Sequence, residues 1–279
     1  AILILALGMN QFQNALFAER NFYGVIRVKE FDNNSVAMIH GMTVHGMQFF
    51  DEHTLPTTYF VEDSGVGLLL LNHPSRGDGL RVGVLGLGIG TLAAYGVEGD
   101  EYRYYEINPD VVRLAEGEGG YFSFLKDSKA QTSIVLGDAR MSLEQELAAG
   151  EKQNFDVLVL DTFSSDSIPV HLVTKEAFEL YLGHLAPDGV IAAHISNRHL
   201  DLRPVFWRLA QEFGLEMVHI YRPPSDGRNG FPSDWILLSK DPSRLNIPAI
   251  EARSASFEEY STRIRLWTDD YSNLFQILK

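Results

Sequence analysis

The stretch from Arg81 to Glu106 restricts the fold of this chain more than any other. Val82, Val84 and Leu85 supply a short apolar, β-branched run of the kind that fills a parallel sheet buried on both faces. Gly86, Gly88 and Gly90 follow at a spacing of two. Glycine there allows positive φ and close backbone approach with no Cβ in the way. A helix opening near Thr91 points its free N–H groups at whatever lies over the turn. A second strand then runs to Glu106, placed to hydrogen-bond both hydroxyls of a ribose. The pattern is GxGxG, with Thr91 or Ala93 where a dinucleotide fold has its third glycine. A glycine-rich turn alone is equally an ordinary tight connection. With the strand before it, the helix after it and the acid beyond, the combination favours S-adenosylmethionine or a relative over NAD.

From Arg81 onward strands and helices alternate. The pattern predicts strands at 81–86, 101–107, 132–137, 155–161, 189–195, 216–222 and 234–239, and helices at 90–96, 109–116, 139–147, 174–185 and 201–213. Alternation of this kind gives a parallel sheet with helices on both faces and right-handed crossovers. The last two strands, joined across PPSDGRNG, predict an antiparallel hairpin at the sheet edge. The fold class is therefore α/β, a Rossmann-like, methyltransferase-type sheet. Before it, residues 21–63 are rich in aromatic and β-branched residues with turns between, which predicts a small antiparallel β-domain of three or four strands. Residues 1–20 have a helical spacing of Phe12, Leu16 and Phe17, and 64–71 lead by a helix into the main domain, 64–279.

A formal net charge of −14 argues against nucleic acid and suits a small cationic substrate. The chain has no cysteine, which excludes disulfides, thiolate zinc sites and a cysteine nucleophile. Its histidines show no HxxxH or HExxH spacing, so no metal site is expected. The apolar opening AILILALGM is too short to span a bilayer and lacks the features of a signal peptide. It is expected either to belong to a cytoplasmic protein or to end a longer membrane segment preceding residue 1.

In such sheets ligands lie outside the carboxyl ends of the strands. Acids stand there repeatedly: Glu106 after the second strand, Asp138 after the third, Asp161 after the fourth and Asp166 in the loop beyond. Asp138, with the Ala139 N–H, could read an adenine edge or simply cap the next helix. Asp161 could hold an amine nucleophile and take its proton, or stabilise positive charge, or cap a turn. Ser164 and Ser165 read as turn residues, with no elbow motif beside them. His40 and His45 are placed in a turn near the crevice mouth, as substrate contacts or ordinary loop histidines. Phe22, Tyr23, Tyr59 and Phe60 either wall the pocket against a sulfonium or belong to the core.

The order of motifs, a β-domain followed by GxGxG, YEINPDVV, LGDAR and VLVLDTFSSDSIP, resembles the spermidine synthase (aminopropyltransferase) family. RNFYGVIRV and the closing WTDDYSNLF resemble the branch often fused to a membrane segment. The resemblance covers nearly everything from about residue 20. It implies that Gly86, Gly88 and Gly90 form the nucleoside loop, Glu106 binds ribose, Asp138 and Ala139 contact adenine, and Asp161 is the catalytic aspartate. Tyr59 falls near the family's pocket tyrosine. It also implies homo-oligomers, no prosthetic group, and S-adenosylmethionine or its decarboxylated form as co-substrate. The chain departs from the pattern at Ile89, where the family has an aspartate that holds the donor's amine. Phe231 replaces a late tyrosine, and Ile39-His40-Gly41 replaces LDGxxQ without its glutamine. The expected activity is cleavage of a carbon–sulfur bond with release of methylthioadenosine, by aminopropyl transfer with Asp161 and Asp166 as acid–base residues. Two other readings are a lyase or cyclase needing no polyamine acceptor, and a catalytically weak nucleoside-binding module.

Overall fold

The computed structural model describes residues 15–41, 43–162, 169–225, 227, 229–255 and 264–279. Asp166, Ser164, Ser165 and the apolar opening lie outside them.

Four strands open the described chain: β1 (Ala15–Asn21), β2 (Gly24–Phe31), β3 (Ser35–His40) and β4 (Thr43–Phe49). They form an antiparallel meander in sequence order. Residues 15–20, for which the sequence pattern predicts helix, are thus strand. β1 is an edge strand, largely exposed, and it has little apolar patterning of its own; its pairing with β2 decides its conformation.

Helix α1 (Gly65–Asn72) follows, capped by the Ser64 hydroxyl, which accepts the Gly67 N–H. The large sheet contains β5 (Arg81–Leu85), β6 (Glu101–Glu106), β7 (Gln131–Leu136), β8 (Phe155–Leu160), β9 (Leu185–His194), β10 (Glu216–Arg222) and β11 (Ser233–Ser239). Their order is β10-β11-β9-β8-β5-β6-β7. Only β11 runs against the others, inserted between β10 and β9. The chain therefore has the methyltransferase-type sheet that the alternation predicts.

The inner strands β5, β8 and β9 are buried on both faces, and their side chains sort by the two-residue period. Val82, Val84, Val157, Val159, Val190 and Ala192 face one layer. Leu85, Leu158, Leu160, Ile191 and Ala193 face the other. The first layer holds α1, a 3-10 turn at Thr91–Tyr95 and α2 (Pro109–Ala115); the short α3 (Phe124–Asp127) also contributes Phe124. The second layer holds α4 (Ala139–Ala148), α5 (Lys175–His184) and α6 (Arg203–Phe213). Ile26, Val28, Val36 and Met38 of the small sheet join the first layer's core, in one apolar cluster with Leu87, Ile89 and Leu92. The N-terminal sheet is thereby seated against the glycine loop. No helix among the described residues is long and apolar enough to cross a membrane.

Candidate active site

The carboxyl ends of β5 to β9 and the ends of β3 and β4 enclose a cleft with two lobes. Gly86, Gly88, Glu106, Asp138, Ala139 and Asp161 line the first, with Tyr23, His40 and His45 from the small sheet. Tyr59, Phe60, His194, Ser196, Asn197 and Arg198 line the second, again with His45 and Asp161. Among the described residues, only His45 and Asp161 line both lobes.

The glycine loop is built by packing as much as by ligand approach. Gly86 has φ of 96°, and a Cβ there would overlap the backbone oxygen of Asp161. Gly88 has φ of 55°, and its Cβ would sit 2.7 Å from the His45 carbonyl oxygen. Side chains at these two positions would push β8 and β4 off the loop. Gly90 is displaced from the cleft wall: it opens the 3-10 turn and faces Leu125.

Glu106 accepts backbone N–H groups from Leu87 (3.1 Å) and Asn108 (2.8 Å), one on each carboxylate oxygen. Its geometry is fixed before any ligand arrives, and each oxygen retains a lone pair. Burial raises its pKa above the ordinary glutamate value, against the lowering effect of those N–H groups, while the nearby Asp161 charge raises it further. Asp138 caps the next helix, one of its two readings. One oxygen caps α4 by accepting Met141 N–H at 2.9 Å, and the other lies 3.3 Å from His171 Nε2 at the rim.

Asp161 follows β8 directly, and its N–H donates to Leu85 O at 2.9 Å. Its Oδ1 lies 2.7 Å from His194 Nδ1. His194 is 5% exposed and stacked on Trp235 at 4.8 Å, with Tyr59 at 4.9 Å on another side. Its Nε2 lies 2.7 Å from Ser196 Oγ, which accepts the Asp234 N–H. An ionised Asp161 can only accept, so His194 donates from Nδ1, and Nε2 then accepts from the Ser196 hydroxyl. This chain of hydrogen bonds orients the carboxylate. A search for acids at strand ends overlooks His194, although it is the last residue of β9 and the same positional rule would have selected it.

His40 and His45 are strand-end residues, not turn residues, because only positions 41 and 42 separate β3 from β4. Their rings lie 5.5 Å apart. His45 Nε2 is fully enclosed and has no hydrogen-bond partner among the described residues. Burial, then the neighbouring His40, lowers its pKa to about 4, opposed by Asp161. Tyr59 lines the second lobe and Tyr23 the first, whereas Phe22 is 96% exposed and walls neither.

A polyamine aminopropyltransferase from Vibrio vulnificus (strain CMCP6) is 30% identical over 233 residues, spanning 76% of this chain and 73% of that protein. The chain belongs to the polyamine aminopropyltransferase family. Solved structures share the fold. A probable spermidine synthase from Corynebacterium glutamicum superposes with a TM-score of 0.62 at 21% identity, covering 80% of this chain and 79% of that one. The Thermotoga maritima spermidine synthase gives 0.53 at 14% identity over 92% and 82%. A spermidine synthase bound to the transition-state analogue AdoDATO gives 0.52 at 15% identity over 88% and 80%. No protein-family profile matches the chain.

In this member of the aminopropyltransferase family Ile89 is fully buried, packed in the core with the small sheet. Its side chain carries no group that could hydrogen-bond. Phe231 stands edge-on to Tyr59, with ring centroids 5.5 Å apart, and brings no hydroxyl. His45 makes the acid limb of stability measurable. The unfolded histidine titrates near 6.5 and the folded one near about 4, so between these values the unfolded chain takes up a proton that the fold refuses. Stability from this group is complete above pH 6.5 and is lost as the pH falls toward 4, by on the order of 3 kcal/mol. Urea midpoints at pH 7 and pH 4.5 should therefore separate less for His45→Gln than for the parent. Equal losses in the two proteins would show that His45 is not held neutral by the fold.

Proposed function

We propose that the protein transfers an aminopropyl group from decarboxylated S-adenosylmethionine to an amine, releasing 5′-methylthioadenosine. The observation that carries this reading is the position of Asp161, whose carboxylate is shared by a nucleoside-sized lobe and a second, smaller lobe. In this reading Glu106 accepts the ribose hydroxyls, Gly86 and Gly88 bring the loop backbone to the nucleoside, and Asp138 with Ala139 borders the base. The resemblance in motif order from Gly86 to Asp161 supports these roles.

The acceptor enters the second lobe and its amine nitrogen attacks the methylene carbon bonded to sulfur. The new N–C bond forms as the C–S bond breaks, and the electron pair returns to sulfur, leaving a neutral thioether. Asp161 holds the amine in line and takes the proton it sheds. His45 carries a neutral imidazole beside it, a second acceptor in a chain where Phe231 brings no hydroxyl. His194 keeps the Asp161 carboxylate turned toward the junction. Asp166 has no assigned part here.

The purified protein incubated with decarboxylated S-adenosylmethionine and an amine should release methylthioadenosine together with an aminopropylated amine, read by mass spectrometry. Methylthioadenosine from intact S-adenosylmethionine with no acceptor would replace transfer by a lyase reaction. Binding of methylthioadenosine without turnover of either donor would leave a nucleoside-binding module.

A further inference from the structure

We propose that Asp269, in the closing WTDD motif, is a positioning residue for the donor's nucleoside, fixing through Arg140 the two segments that wall one end of the first lobe. The inference rests on the transfer reading above, which makes that lobe the nucleoside site. Neither Arg140 nor Asp269 lines the lobe, so any effect on the ligand passes through the wall.

The wall has two halves. Asp138 and Ala139 begin α4, and His171 and Leu172 belong to a 3-10 turn, Val170–Leu172, that precedes α5. One guanidinium joins them. Arg140, the residue after Ala139, donates from Nη1 to His171 O at 2.8 Å, and His171 Nε2 stands 3.3 Å from Asp138 Oδ2. A cation in the first turn of a helix opposes the macrodipole, and this side chain is only 15% exposed, so it needs a partner. Asp269 meets the need with both oxygens, accepting Nη1 at 2.7 Å and Nη2 at 2.6 Å in parallel. Glu144 adds a longer contact to Nε, 3.1 Å, from a more exposed side chain.

Asp269 is itself fixed from several sides. Thr174 Oγ1, which caps α5 by accepting the Ala177 N–H, donates to Asp269 Oδ1 at 2.8 Å. The Asp269 N–H donates to Glu176 at 2.9 Å. Trp267, two residues earlier, is buried in the second layer's core, and its carbonyl accepts the Lys175 N–H at 2.9 Å. The Arg140 hydrogen bonds hold the Asp269 carboxyl below the ordinary aspartate range, against the opposing effect of burial. A carboxylate 129 residues along the chain from Arg140 thus sets how the two halves of the wall stand to each other.

Asp269→Asn keeps the shape, removes the charge and turns one acceptor into a donor facing the guanidinium. It should raise the dissociation constant for methylthioadenosine about tenfold, and the KM for decarboxylated S-adenosylmethionine by a similar factor. With putrescine as acceptor, kcat at saturating donor and the KM for the amine should stay within about twofold of the parent. Arg140→Gln should give the same loss, and the double variant no more than either single one, since both act on one contact. Glu212→Gln, which breaks the Lys175–Glu212 pair (2.6 Å) at the same helix, should leave nucleoside binding as in the parent. An unchanged dissociation constant in a folded Asp269→Asn protein, a loss confined to kcat, or an equal loss in Glu212→Gln would overturn the inference and leave aminopropyl transfer in place. A parent that binds no methylthioadenosine would overturn both.

Discussion

Asp161→Asn should lower kcat by a factor of about 10² to 10⁴ while the dissociation constant for methylthioadenosine stays close to the parent's. Asparagine keeps the shape of the side chain, and its amide oxygen can still accept the His194 Nδ1–H now made at 2.7 Å. What disappears is the charge that, in the proposed reading, holds an ammonium and the oxygen that takes its proton. In the proposed reading the nucleoside contacts rest mainly on other elements that line the first lobe: the β5 loop, Glu106 at the end of β6, and Asp138 and Ala139 beyond β7. Single-turnover chemistry and calorimetric binding separate the two effects. Full activity would remove Asp161 from the chemistry, and a parallel loss of methylthioadenosine binding would reassign it to holding the nucleoside.

Gly86→Ala is expected to be the most damaging small substitution in the chain. At φ of 96° an alanine is strained, and its Cβ would enter the carbonyl oxygen of Asp161. That oxygen belongs to a backbone pinned by the Asp161 N–H to Leu85 O bond, so the obstruction cannot swing aside as a side chain would. Strain and overpacking together should cost on the order of 3 kcal/mol, or roughly 5 °C in Tm for a chain of this size. Activity should fall further than the folded fraction, because the displaced residue is Asp161 itself. Gly90→Ala provides the contrast: φ is 80°, but its Cβ meets a side chain and not a backbone, Leu125, at 2.9 Å from Cγ. It should lose less stability and keep more of its activity per folded molecule. Equal damage from the two would show that backbone strain alone, and not the approach of β8, sets the requirement for glycine at 86.

The large sheet was legible because its signal is redundant. Its strands alternate with helices, β5 and β8 are short apolar runs, and such a sheet predicts a ligand at its carboxyl edge. β1 was misread for the opposite reason: ALFAERN mixes helix-favouring residues with a few apolar ones, and its conformation comes from β2 alone. The acids at strand ends were visible in the sequence, and Glu106, Asp138 and Asp161 do meet at one cleft. His194 was not singled out because its importance lies in a contact 33 residues away in sequence, between neighbouring parallel strands. The glycines were read as room for a ligand. Gly86 and Gly88 also make room for protein, and spacing alone does not distinguish the two.

The seat of the N-terminal sheet on the glycine loop has a thermodynamic consequence. Any molecule bound to the native cleft, and not to partly opened forms, stabilises every segment whose departure would dismantle the cleft. β3 and β4 are such segments, since His40 and His45 line the first lobe and the His45 carbonyl lies against Gly88. The amides of Ser35–His40 and Thr43–Phe49 would then exchange more slowly with solvent deuterium when methylthioadenosine is present, although the sequence motif for the nucleoside begins some forty residues later. Occupancy of the cleft would be recorded as kinetic protection in strands that a sequence comparison would assign to another domain.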